Sequence, residues 1–286
     1  MKLILSALFA LSTIFFCSPA LASDDYHEQM KLLIYSPRYF GPNAFPTPIL
    51  RSGKVGDRYE AEVRGEYHYF SGDKTTNLYT RVLLPLIKNR GGIEVSFNLF
   101  EKYKMTPETV EERHAVEAES PITCHGDIIV SSFFQLIASE KWVDAMINLN
   151  LKTASGKRVC DARYTDAAAY WFDLTLGRYL FKTKDDKLSL RLQAMAGFYC
   201  WMTNQITNRQ NDAMLYGAGI SLNYRNVSVS TDFTEFKGYK SNGDNPLTWR
   251  NNLRYELKKN IISFRYNHGM QDNLYDTFSV GYIRCF

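Results

Sequence analysis

From residue 57 onward the chain alternates. Within residues 58–70, Tyr59, Ala61, Val63, Gly65, Tyr67 and Tyr69 share one face of an extended strand. Glu60, Glu62, Arg64, Glu66 and His68 share the other. The period returns in residues 78–87, where Tyr79 and Arg81 oppose Leu78, Val82, Leu84 and Leu86. It returns again in 93–100, where Glu94, Ser96 and Asn98 oppose Ile93, Val95, Phe97 and Leu99. Further strands are predicted over residues 127–138, 142–151, 168–181, 188–201, 214–224, 227–236, 247–257, 260–268 and 275–286. A soluble sandwich or lipocalin-like barrel would have to bury one face of each strand and wet the other. Burying Glu60, Glu62, Arg64 and Glu66 in an apolar interior is prohibitive without partners or water. A transmembrane barrel reverses the arrangement, with lipid on the apolar face and the charged face in the lumen. The pattern therefore predicts an all-β, antiparallel up-and-down transmembrane barrel of about twelve strands.

Connection lengths support this topology. Counting from the first strand, the links 88–92, 139–141, 182–187, 225–226 and 258–259 are short and polar. The intervening links 101–126, 152–167, 202–213 and 237–246 are mostly long. Short turns at one rim and long loops at the other are the asymmetry of an outer-membrane barrel with both chain ends at the periplasmic side.

Ahead of the barrel pattern, residues 1–22 read as a secretory leader: Lys2, an apolar run, then Ala20-Leu21-Ala22 as a small-x-small cleavage site before Ser23. Residues 23–56 form a separate segment, and its stretch 36–48, SPRYFGPNAFPTP, is too rich in proline for a central strand or a helix interior. Two placements are open for it: a plug folded into the barrel, with Arg38, Tyr39, Phe40, Asn43 and Phe45 as contacts, or a periplasmic lead-in beneath the mouth. The mean hydropathy of −0.30 is compatible with a membrane protein of this kind, because alternating positions average out. A formal net charge of +4, one less once Lys2 is removed, argues against nucleic acid as a partner.

The last strand, YDTFSVGYIRCF over residues 275–286, ends on an aromatic residue and carries Phe278, Val280, Tyr282 and Phe286 on one face. On these residues the chain resembles Gram-negative outer-membrane β-barrel proteins. Arg284 departs from their apolar pattern, although a long side chain near the rim can snorkel. The resemblance implies an outer-membrane location, contact with outer-membrane lipid, and a final strand read by the barrel-assembly machinery.

Parity assigns Glu60, Glu62, Arg64, Glu66, His68, Arg81, Glu94, Asp127, Asp144, Asp173, Arg191, Arg250, Arg254, Glu256 and Arg265 to the lumen. Trp142, Trp171 and Trp201 fall on the same side. Such a wall suits a narrow pore or binding barrel for a small polar solute, whereas a self-satisfied ion-pair network would close the interior. A closed scaffold that acts through its loops is the alternative. A lipid hydrolase is the third reading, but it requires a nucleophile within reach of its base. Position +2 after His268 is Met270 and after His68 is Phe70, so neither histidine has the His-x-Ser spacing of outer-membrane lipid hydrolases. The reading therefore leans away from catalysis. Thr106-Pro107 marks a helix start in the first long loop, followed by acidic residues 108–119 that suit a solvated cap or a cation or basic partner. Cys124 and Cys160 fall in successive long loops where a disulfide would tie them, with Cys200 as another possible partner. No CxxC or Cys/His metal spacing occurs, and no cofactor or metal is expected. The remaining aromatics, among them Tyr59, Tyr67, Tyr69, Tyr224 and Tyr255, are read as membrane-interface girdles.

Overall fold

The structure, a computed structural model, describes residues 30–116, 121–139, 141–202 and 211–286. The leader and its cleavage site lie outside the described residues. Twelve long strands form one closed antiparallel barrel: β1 (Glu60–Phe70), β2 (Asp73–Ile87), β3 (Gly91–Met105), β5 (Ile128–Ile137), β6 (Asp144–Lys152), β7 (Ala169–Lys182), β8 (Leu188–Trp201), β9 (Asn211–Tyr224), β10 (Val227–Gly238), β11 (Leu247–Leu257), β12 (Asn260–Gln271) and β13 (Asp276–Cys285). A short strand, β4 (Ile122–Cys124), pairs with the outer extension of β3. Closure is made by β1 against β13, in the register Glu60↔Cys285 to Tyr69↔Asp276. Both edges of each of the twelve long strands are thereby paired within the wall, which a sheet exposed to lipid requires.

The period of two does what the sequence predicts. Along β1, Glu62, Arg64, Glu66 and His68 point inward and are buried, while Val63, Tyr67 and Tyr69 face out. Tyr59, Tyr224, Tyr255, Tyr282 and Phe286 are exposed near the short-turn rim, and Tyr170, Phe172, Phe233 and Phe278 toward the loop rim. Trp142 is a correction. It lies before β6, is 74% exposed, and its backbone N–H is bound by the Ser139 hydroxyl in the turn. The side chain of Gln135 donates to the Ile137 and Ala145 carbonyls and ends the ladder early, so strand parity does not reach Trp142.

Strands β2 and β3 are each 15 residues long, more than the ~9–11 a bilayer needs, and they project beyond it at the loop end. Their outer turns carry Lys74, Lys102 and Lys104 outward, into water. The loop after β3 opens on α1 (Pro107–Arg113), with Pro107 at its first position and the Thr106 hydroxyl accepting from the Thr109 N–H at 3.4 Å.

The segment ahead of β1 lies inside the barrel. Traced back from β1, it leaves the short-turn end, where Arg58 pairs with Glu256 at 2.5 Å and the Val55 N–H donates to Gln135 at 2.7 Å. It then passes β7, β9 and β11 and reaches the loops, where the Arg38 N–H donates to the Gly243 carbonyl. Gly53 has φ +80 and its Cα stands where a side chain would lie 2.7 Å from the Gly177 backbone nitrogen, so the chain turns there against the wall. Residues 30–35 include a single turn of helix and no strand.

Candidate functional site: the charged lumen

At the short-turn end the inward residues of β1, β2, β3, β11 and β12 form one ionic cluster. The Arg81 guanidinium donates to Glu60 at 2.6 Å, Glu62 at 2.7 Å and Glu94 at 2.9 Å. Arg64 donates to Glu62 at 2.7 Å and Glu66 at 2.6 Å, and its guanidinium carbon stacks 3.8 Å from the Tyr79 ring centroid. Arg265 reaches Glu62 at 3.2 Å, and Arg254 approaches Glu60 at only 3.9 Å. Arg51, from the lumen segment, completes the cluster by donating to Glu94 at 2.7 Å. Neighbouring antiparallel strands place these charges level with one another, as the pairing Glu62↔Arg81 shows.

The rest of the wall holds the lumen segment by its backbone. Arg250 donates to the carbonyls of Thr47 and Pro48, both at 2.9 Å, and contacts Asp232 at 3.4 Å. Arg191 bridges Asp144 at 2.6 Å and the Ser52 carbonyl at 2.8 Å. Asp173 accepts from Asn148 and Thr175, each at 2.6 Å. His68 sits between the Thr277 hydroxyl, at 2.8 Å, and Asn77. Between segment and wall remains a cavity of about 860 Å³ whose lining includes Glu60, Arg81, Glu94, Asp173, Arg254 and Arg265. Of the residues assigned to the lumen by parity, Glu60, Arg64, Glu66, His68, Arg81, Glu94, Asp127, Asp173, Arg191, Arg250, Arg254 and Arg265 border this cavity, and Trp142 does not.

The loop end is different. Asp73 accepts from Arg113 at 2.8 Å, from the Tyr275 hydroxyl at 2.5 Å, and from Arg163. Arg163 also donates to Glu101 at 2.7 Å, and Tyr164 to the same carboxylate at 2.6 Å. All six side chains are buried. Burial alone would lower the pKa of Arg163, but Asp73 and Glu101 outweigh it and hold it well above the ordinary value. Burial, then Glu101, raises the Tyr164 phenol well above its usual range. Beside this cluster Phe40 and Phe45 of the lumen segment pack with Tyr199, Trp201 and Phe236; Tyr199 and Phe236 stack at 4.5 Å. Gly41 has no room for a side chain, since a Cβ would lie 2.6 Å from the Arg163 guanidinium carbon. Cys124 carries a free, buried thiol, so the Cys124–Cys160 bridge is not formed. Burial and the nearby Glu101 carboxylate push that thiol up to about 12.

Sequence reasoning missed Asp73, Glu101, Arg113 and Arg163. The outer parts of β2 and β3 face water on their outside, so no apolar alternation marks them, and the two arginines come from loops. One signal was present: Glu101, Tyr103 and Met105 alternate with Lys102 and Lys104.

No protein-family model and no curated protein sequence matches the chain. Solved structures do. The COG4313 outer membrane channel from Pseudomonas putida F1 superposes with a TM-score of 0.54 at 12% identity, over 85% of this chain and 100% of that one. The fold is that of an outer-membrane β-barrel. The KdgM porin, in complex with disordered oligogalacturonate, gives a TM-score of 0.49 at 12% identity over 79% of this chain and 99% of that one. The β domain of the Bordetella autotransporter BrkA gives 0.47 at 13% identity over 81% and 100%.

Proposed function

We propose that the chain resides in the outer membrane as a non-enzymatic barrel whose charged lumen binds or passes a small polar solute, with residues 36–55 as an internal plug. One observation carries this reading: a cavity of about 860 Å³ persists beside the segment and is walled by ion pairs that keep contact with solvent. Charged walls around water orient and select small ions and polar molecules. Phe40, Ala44 and Phe45 anchor the outer part of the plug in the apolar cluster with Tyr199, Trp201 and Phe236, whereas Asn43, Thr47, Arg51 and Lys54 hold it to the wall by polar contacts. Such contacts can be exchanged for water.

The buried ion-pair network at the loop end favours a second reading, a closed scaffold acting through its loops. The hydrolase reading has less support, since the hydrogen bonds of His68 run to Thr277 and Asn77 and that of His268 to Asp276, none of them to a serine. Single-channel recording of the full chain, produced with its leader and extracted from outer membranes, separates pore from scaffold. Discrete steps are expected, with longer openings in Arg51→Gln/Lys54→Gln, where two plug contacts are lost. A silent bilayer for both proteins, each folded by heat-modifiability, would overturn the passage of solute and favour the scaffold.

A further inference from the structure

We infer that the solute is a small hydroxylated organic anion seated against Arg254, Arg265 and Asn252; this deepens the solute reading and rests on it. The cluster at the short-turn end links five guanidiniums, from Arg51, Arg64, Arg81, Arg254 and Arg265, to four carboxylates, Glu60, Glu62, Glu66 and Glu94. It carries one positive charge in excess. That excess is concentrated on β11 and β12. Arg254 stands 3.9 Å from its carboxylate and keeps a third of its side chain exposed. Among the described residues, Arg265 Nε is buried with no hydrogen-bond partner, and so is Asn252 Oδ1, on the residue directly across the ladder. All three residues line the cavity.

The chemistry of these groups names the class. A carboxylate would accept from Arg265 Nε and from Arg254, converting one unmet donor and one loose ion pair into charge-assisted hydrogen bonds. A hydroxyl on the same molecule would donate to Asn252 Oδ1. The adjacent β10 positions that pair with Arg254 and Asn252 are Ser228 and Ser230, which add hydroxyls and no charge. A cationic solute finds no comparable seat in the cluster, because Glu62 already serves Arg64, Arg81 and Arg265, and Glu94 serves Arg51 and Arg81. Asp173 lies elsewhere on the wall, bound by Asn148 and Thr175, and would turn an anion toward β11 and β12.

The test is calorimetric titration of the full chain in detergent with gluconate, sorbitol and glucosamine at one ionic strength, alongside bilayer recording. These probes are all polyhydroxylated six-carbon molecules and differ in charge. Gluconate is expected to bind about tenfold or more tighter than either of the others, an advantage that Arg254→Gln/Arg265→Gln removes. The variant should fold, since Glu60 and Glu62 keep Arg81 and Glu62 keeps Arg64. Equal binding of the three, tightest binding of glucosamine, or a gluconate preference that survives the double substitution overturns the inference. Conduction without gluconate binding overturns the anion class and leaves the solute reading standing. Absence of both binding and conduction overturns both.

Discussion

The two ends of the lumen use the same pairings of arginine with carboxylate and differ in how much of each network stays in water. At the loop end Arg163 and Asp73 are each 0% exposed, with rings of Tyr103 and Tyr275 against the guanidiniums. At the short-turn end Glu62, Arg64 and Glu66 are buried as well, but at the edge of the cluster Arg254 keeps 33% exposure and Glu60 13%, beside the cavity. An ion pair removed from water is held by strong Coulomb attraction but has lost its hydration, so breaking one partner leaves a charge stranded. A pair that keeps water is weak and exchangeable. The loop end is thus built to hold one geometry, and the Arg254–Glu60 edge of the short-turn cluster to trade partners. A barrel that must stay shut to large molecules while accepting a small one needs both.

The sharpest way to break this comparison is Arg163→Met. It leaves Glu101 without a cation and Asp73 with Arg113 alone, and is expected to cost about 3–5 kcal/mol, read by urea unfolding in lipid vesicles. A loss below about 1 kcal/mol would mean that the loop end is hydrated like the other, and the contrast would collapse. Gly41→Val probes the same place through packing. A Cβ there lies 2.6 Å from the Arg163 guanidinium, which is pinned by Asp73 and Glu101, so an overpacking cost of about 1–3 kcal/mol is expected by the same measurement. Wild-type stability would show that the segment can leave Arg163 freely, and would sharpen the case for a mobile plug.

How far the sequence could be read follows the same division. Where a strand lies in the bilayer, lipid demands an apolar outer face, and alternation then identifies the inward residues without any structure. Glu60 through His68, Arg81, Arg254 and Arg265 were legible for that reason. Where β2 and β3 rise into water, Asp73-Lys74-Thr75-Thr76-Asn77 is polar on both faces, and the signal vanishes although the strand continues. Which loop residue would meet Asp73 depends on how residues 153–168 fold back over the mouth, a contact between Arg163 and a position 90 residues away. Nor could period reveal where the proline-rich segment goes. It has no regular structure of its own, and its course is set by the wall groups, such as Arg250, that bind its carbonyls.

The smallest expected effect on stability is at Arg254. Arg254→Gln removes a cation that is a third exposed and 3.9 Å from Glu60, so unfolding should shift by less than about 1 kcal/mol. Glu60 retains Arg81 at 2.6 Å, and no buried charge is stranded. Conduction should respond more than stability does, because Arg254 lines the cavity and loses its full charge there. Reversal potentials in a salt gradient are expected to move toward cation preference. The shift should shrink as salt rises from 0.1 to 1 M, where the screening length falls from about 10 to about 3 Å. A selectivity unchanged at low salt would place the path of ions away from β11, whereas a large loss of stability would make Arg254 part of the scaffold, like Arg163 at the other end.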